Sequence, residues 1–86
     1  MAETFLLEVV TPQSVVVSAD VEEMSARGAD GEFGVLPGHT FFITMITPGE
    51  LSYRVKSSER SLMLGYGAAE VTHDRVTILV DSAKPQ

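Results

Sequence analysis

Apolar residues recur along this chain at every second position rather than every third or fourth. Leu51, Tyr53 and Val55 alternate with Ser52, Arg54 and Lys56. Val76, Ile78 and Val80 alternate with Thr77, Leu79 and Asp81, and only Leu79 breaks the polar parity. Successive side chains of an extended chain point to opposite faces, so both segments are expected to be strands with one buried and one wet face. Thr4–Val10 and Gln13–Ala19 are rich in β-branched residues and are separated by Thr11-Pro12, which predicts paired strands. Val21–Arg27, Leu62–Tyr66 and Ala68–Thr72 add further strands, with Gly67 expected as a bulge or bend.

Turn signals fall at Thr11-Pro12, Gly28–Gly34, Pro37-Gly38, Pro48-Gly49, Lys56–Arg60 and His73-Asp74. Short strands under such regular punctuation describe an all-β sandwich or barrel. No segment carries an amphipathic helical pattern with caps. The expected organisation is one β-sandwich domain over residues 1–83 and a short tail, Lys84-Pro85-Gln86, over 84–86.

Phe41–Ile46 departs from the simple alternation, because it is apolar at both parities except at Thr44. A strand apolar on both faces is normally buried on both, usually with helices over one of them. This pattern has no helix to offer. The second face is therefore covered either by this chain's own sheet packing and loops or by another protein.

Composition narrows the function. A domain of 86 residues without cysteine buries only about 60% of its unfolded surface, so its stability rests on one modest packed core. The lack of cysteine also removes thiol catalysis and zinc–cysteine sites, and it fits a reducing compartment. A formal net charge of −6 with six scattered Lys and Arg offers no basic face for nucleic acid or anionic lipid. Met1-Ala2-Glu3-Thr4 lacks the basic, then apolar, character of a secretory leader, and no apolar run reaches membrane-spanning length. The expectation is a soluble cytosolic domain.

Candidate chemistry is sparse. His39 and His73 lie far apart and have no ligand-like spacing to an acidic cluster. His73 reads as a solvated turn residue and His39 as a structural histidine at the mouth of the unusual strand. The glycine-rich run Gly28–Gly34 lacks the helix start and Gly-Lys-Ser/Thr of a phosphate loop, and Asp30 and Glu32 would repel phosphate. It also lacks the spaced ligands of a calcium loop. It is expected as a loop whose glycines permit positive φ and leave Glu32 exposed. Glu22 and Glu23 read as a charged strand edge that discourages sheet-to-sheet association. No serine sits in a nucleophile elbow or beside an evident base. No catalytic, metal-binding or cofactor-binding residue is expected.

Taken whole, Gly28-Ala29-Asp30-Gly31-Glu32-Phe33-Gly34-Val35-Leu36-Pro37-Gly38-His39 resembles the signature G-x-x-G-x-[LF]-G-[IV]-x-P-G-H of the epsilon subunit of F-type ATP synthases, called delta in mitochondria. Phe5–Thr11 is similar to that family's opening strand. The likeness continues through Thr44 to Pro48-Gly49, resumes at Gly67-Ala68-Ala69-Glu70-Val71, and ends in Thr77–Asp81 and Ala83. It covers nearly the whole chain, and the signature is its specific part.

The resemblance implies a flattened sandwich of about ten short strands in two sheets. It implies a non-catalytic subunit of the central rotor stalk of a proton-translocating ATP synthase, coupling the gamma subunit to the membrane c-ring. By matching motif positions, Asp30, Gly31, Glu32 and Phe33 resemble the part that meets the c-ring. Thr11, His39, Phe42 and Thr44 resemble the gamma-facing side. It further implies a peripheral location on the cytoplasmic side of a bacterial plasma membrane, without nucleic acid, cofactor or direct lipid insertion, and a monomeric isolated domain. Tyr66 stands where many family members have glycine. The family's C-terminal helical hairpin, which carries inhibition and ATP binding, has no counterpart in this sequence, so those activities are not expected of it. The alternatives are a small-ligand-binding β-barrel and a generic protein-interaction module.

Overall fold

The structure, a computed structural model, describes residues 3–86, so Met1 and Ala2 of the N-terminal reading lie outside the described residues. Ten strands follow in order: β1 (Phe5–Val10), β2 (Val15–Val21), β3 (Glu23–Gly28), β4 (Gly31–Val35), β5 (Phe42–Ile46), β6 (Gly49–Val55), β7 (Ser58–Leu64), β8 (Gly67–Val71), β9 (Arg75–Val80) and β10 (Ala83–Pro85). The period-two pattern is the reason they form. Phe5, Leu7 and Val9 of β1 and Val76, Ile78 and Val80 of β9 are all buried, while the residues between them face outward.

All ten strands join one hydrogen-bonded ladder, in the order β10-β7-β6-β3-β5-β8-β9-β1-β2 with β4 beside β3. The ladder folds over on itself into two layers, and β3 is where it turns. Glu23, Met24 and Ser25 of β3 pair with β6, whereas Gly28 at its far end pairs with Ile46 of β5. The two expected sheets are therefore continuous through β3. Between the layers, Leu7, Val9, Ile46, Val71, Val76 and Ile78 from one side meet Met24, Val35, Leu51, Leu62 and Leu64 from the other. Each fully buried aliphatic side chain is worth about 1.5–3 kcal/mol relative to exposure. Parallel pairing occurs between β1 and β9, and the other ladders are antiparallel.

Three expectations are corrected. Gly31–Val35 is a strand and not a loop: β3 and β4 form a tight hairpin in which Gly28 pairs with Gly31 and Ala26 with Phe33. Only Ala29 and Asp30 remain in the turn, and Gly31 leaves it at φ 118°, a conformation that favours glycine. The glycines masked a period of two in which Phe33 and Val35 point inward. Next, the turn expected over Lys56–Arg60 shrinks to Lys56 and Ser57, with φ of 50° and 68°, the geometry of a two-residue hairpin whose twist matches its strands. β7 accordingly starts at Ser58 and ends at Leu64, short of Tyr66. Finally, Ala83–Pro85 forms an edge strand against β7, so most of the expected tail is paired. Pro85 is tolerated there because an edge position can dispense with one donor.

Gly67 opens β8 and is neither a loose bend nor a spare position. A Cβ there would collide with the Leu79 carbonyl and the Val80 Cα, because the backbones of β8 and β9 approach closely at that pair.

Candidate protein-docking faces

Strand β5 resolves the problem posed by its sequence. Ile46 is buried, and Phe42 and Thr44 are half-buried on the same face. The other parity is open: Phe41 and Ile43 are each 62% exposed and Met45 is 60% exposed. Among the described residues, no layer covers that second face.

The exposed parity of β5 continues across the sheet. Met45 pairs with Ala68 of β8, Ala68 with Leu79 of β9, and Leu79 with Val10 of β1. Val10 in turn pairs with Val15 past a register shift in β1–β2. Paired residues share a face, so these five side chains form one apolar row along the outside of the sheet. The parity break at Leu79, a second sequence signal of this row beside the two-faced Phe41–Ile46, is thus a surface feature and not an extra core position. Beside it runs a second row, Ile43–Glu70–Thr77–Glu8, which carries two carboxylates. Tyr66 stands just beyond the end of β8 and is 65% exposed.

Asp30, Gly31, Glu32 and Phe33 lie at the β3–β4 hairpin. Asp30 and Glu32 are exposed, and Glu32 is paired in register with Arg27 across the ladder. Phe33 instead turns inward and meets Phe42 edge to face, with ring centroids 5.7 Å apart. Asp30–Phe33 and Phe42–Thr44 line one shallow depression. The sequence-derived grouping assigned these residues to two different partners, and the fold brings them together.

His39 and Thr11 are kept apart. The His39 ring packs edge to face on Phe5, the first residue of β1, at 5.3 Å between centroids. Thr11 follows the last residue of that strand and closes a turn, where its hydroxyl bonds with the Ser14 backbone. His39 Nδ1 donates to the Leu36 carbonyl and closes the Leu36–His39 loop, while Nε2 is buried without a partner among the described residues. The ring is fixed by the loop that carries it. Thr44 packs beside Gly28, where an added Cβ would crowd its Oγ1.

The ion pairs among the described residues gather on the other layer. Arg54 of β6 donates through Nε to Glu22 at 3.1 Å and through Nη2 to Glu23 at 2.7 Å. The hydrogen bond to Glu22, then the charge of Glu23, hold the guanidinium above its ordinary pKa. Glu22 also accepts from the Ser57 backbone and so ties the β6–β7 turn to the start of β3. These carboxylates serve the ladder from within.

Residues 4–86 match the family described as "ATP synthase, Delta/Epsilon chain, beta-sandwich domain". The ATP synthase epsilon chain of Citrifermentans bemidjiense is 48% identical over 84 residues, which is 98% of this chain and 61% of the relative. The ATP synthase epsilon chain 2 of Syntrophotalea carbinolica is 46% identical over 86 residues, covering 100% of this chain and 62% of the relative. The chain thus spans about three fifths of the length of these curated relatives. In the cryo-EM structure of the Euglena gracilis mitochondrial ATP synthase (OSCP/F1/c-ring), one chain superposes with a TM-score of 0.90 at 23% identity, over 99% of this chain and 55% of that one. A chain in the central stalk/c-ring structure of Tetrahymena thermophila mitochondrial ATP synthase gives 0.78 at 15% identity, over 95% of this chain and 66% of that one. At those identities the superpositions speak to the fold, and the sequence matches carry the kinship. This chain belongs to the family of the ATP synthase delta/epsilon chain β-sandwich domain.

Proposed function

We propose that the chain is a non-catalytic element of the central rotor stalk of a proton-translocating F-type ATP synthase, coupling the gamma subunit to the membrane c-ring. The observation that carries this reading is the uncovered apolar face of β5, β8 and β9, in a chain whose relatives are named ATP synthase epsilon chains. Contiguous exposed apolar residues on a small soluble domain mark a surface made to be covered by another protein. Gamma takes this face, with Thr11, His39, Phe42 and Thr44 holding its margins and loops in place. The β3–β4 hairpin, with Asp30, Gly31 and Glu32 at its tip, meets the c-ring, and Phe33 props it from behind. The working location is the cytoplasmic side of a bacterial plasma membrane, peripheral to the bilayer.

The mechanism is mechanical. Torque passes between two partners through a doubled sheet whose core packs like a solid and deforms little. One continuous ladder turning at β3 couples the layers through backbone hydrogen bonds as well as side-chain packing. The ligand-barrel alternative requires an interior cavity, yet Leu7, Ile46, Leu51 and Ile78 fill the space between the layers. Capture of the 86-residue chain on membranes bearing the c-ring, with and without gamma, tests the reading. Retention that requires gamma and the c-ring together is expected, and equal recovery on stripped membranes would refute it.

A further inference from the structure

We infer that the apolar row bordered by a trough beside Tyr66 is built for one kind of partner surface: an apolar ridge bordered by Lys and Arg. This rests on the proposed docking of gamma and specifies the chemistry of that contact. The row from Met45 to Val10 crosses four strands, roughly 14 Å at normal strand spacing, or about nine residues of helix. Along one flank, beside Leu79 and Val10, it borders an open trough of about 460 Å³ lined by Val10, Thr11, Pro12, Tyr66, Leu79 and Asp81, among others.

Backbone hydrogen bonds hold the wall of the trough. Tyr66 lies between Gly65 and Gly67; a Cβ at Gly67 would strike the β9 backbone, whereas one at Gly65 would meet the side-chain ends of Asp81 and Ser82. The Asp81 N–H donates to the Tyr66 carbonyl, and the Gly65 N–H donates to Ser82, both at 2.9 Å. An aromatic ring held on a pinned backbone and left 65% exposed loses little side-chain freedom on binding, which suits an interface anchor.

Charge supplies the second half of the specificity. Glu8 and Glu70 flank the row on one side and Asp81 on the other, and none of the three forms an ion pair among the described residues. Arg75, on the same face but opposite Leu6, is the nearby cation, with Asp74 beside it in sequence. A partner carrying Lys or Arg along the edges of its ridge would find these carboxylates free to accept charge-assisted hydrogen bonds.

The test uses the unmodified 86-residue chain and purified gamma from the same synthase. Hydroxyl-radical footprinting should show Tyr66 and Met45 protected in the complex by at least fivefold, with Met63, exposed on the opposite layer, unchanged. Leu79→Ser and Tyr66→Ser should each weaken gamma binding at least tenfold at unchanged melting temperature. Glu8→Gln combined with Glu70→Gln should slow association and flatten its dependence on salt. Unchanged oxidation of Tyr66 and Met45 in a formed complex would overturn the inference while leaving the rotor-stalk reading intact. Protection of Met63 instead would move the docking face to the other layer and overturn it too. Failure of the unmodified chain to bind gamma at any salt concentration would remove the rotor-stalk reading and this inference together.

Discussion

Phe33 and Phe42 meet edge to face across the gap between β4 and β5, so the hairpin assigned to the c-ring leans on the strand assigned to gamma. Neither ring is fully buried, and both pack on the edge of the core. A change at one proposed interface is therefore felt at the other. Aromatic pairs in this geometry contribute about 0.5–1.5 kcal/mol beyond their buried area. Phe42→Ala should destabilise the domain by roughly 2 kcal/mol, less than a fully buried Phe would, and should lower the melting temperature measurably. Ile43→Ser and Met45→Ser, on the exposed parity, should leave the melting temperature within a degree or two. A loss of gamma binding in those two variants therefore reports the surface itself.

Ile78 is fully buried and pairs with Val9 on one side and Ala69 on the other. Ile78→Ala should cost about 2–5 kcal/mol in urea unfolding, with an unchanged slope against denaturant. A cost below about 1 kcal/mol would mean that the two layers repack freely, against the stiff-coupler mechanism.

Gly67 and Gly34 make a paired test of close backbone approach. A Cβ on Gly67 would strike backbone atoms of Leu79 and Val80, which cannot swing aside, whereas one on Gly34 comes no nearer than 3.8 Å to the Met24 carbonyl. Gly67→Ala should cost about 3 kcal/mol, the upper part of the overpacking range, and Gly34→Ala should be close to neutral. Thermal unfolding of the two variants side by side decides it.

Glu32 faces solvent from β4 in register with Arg27. Glu32→Lys would place like charges directly opposite and cost up to about 1 kcal/mol for that reason alone. Glu32→Gln is the cleaner probe of the proposed c-ring contact. It should leave the melting temperature unchanged and gamma binding intact, while proton pumping in reconstituted membranes falls and loses part of its dependence on salt. Normal coupling with the Gln variant would detach this hairpin from the c-ring without touching the fold.

Much of the architecture was legible because a strand's faces alternate with a period of two whatever surrounds it. β1, β6 and β9 announced themselves through their buried parity, and Thr11-Pro12 marked the turn between β1 and β2. β4 was hidden because glycines occupy two of its five positions and contribute no side chain to the alternation. β10 was hidden because a three-residue edge strand carries too few residues to show a period at all. The site divided in the same way. The signature run Gly28–His39 pointed to the family, but residues close together in it, such as Phe33 and His39, serve different neighbours.

By itself, the sequence determined that this is an all-β domain, which residues of each strand share a face, and which family the chain resembles. These properties reside in local spacing and in a linear motif. Tertiary structure alone decided that β3 joins the two layers, that Phe33 belongs with Phe42, and that Met45, Ala68, Leu79 and Val10 form one row. Each of those facts depends on the pairing of strands far apart in the chain. A period of two says which side of a strand a residue occupies, and only the register between strands says what stands beside it.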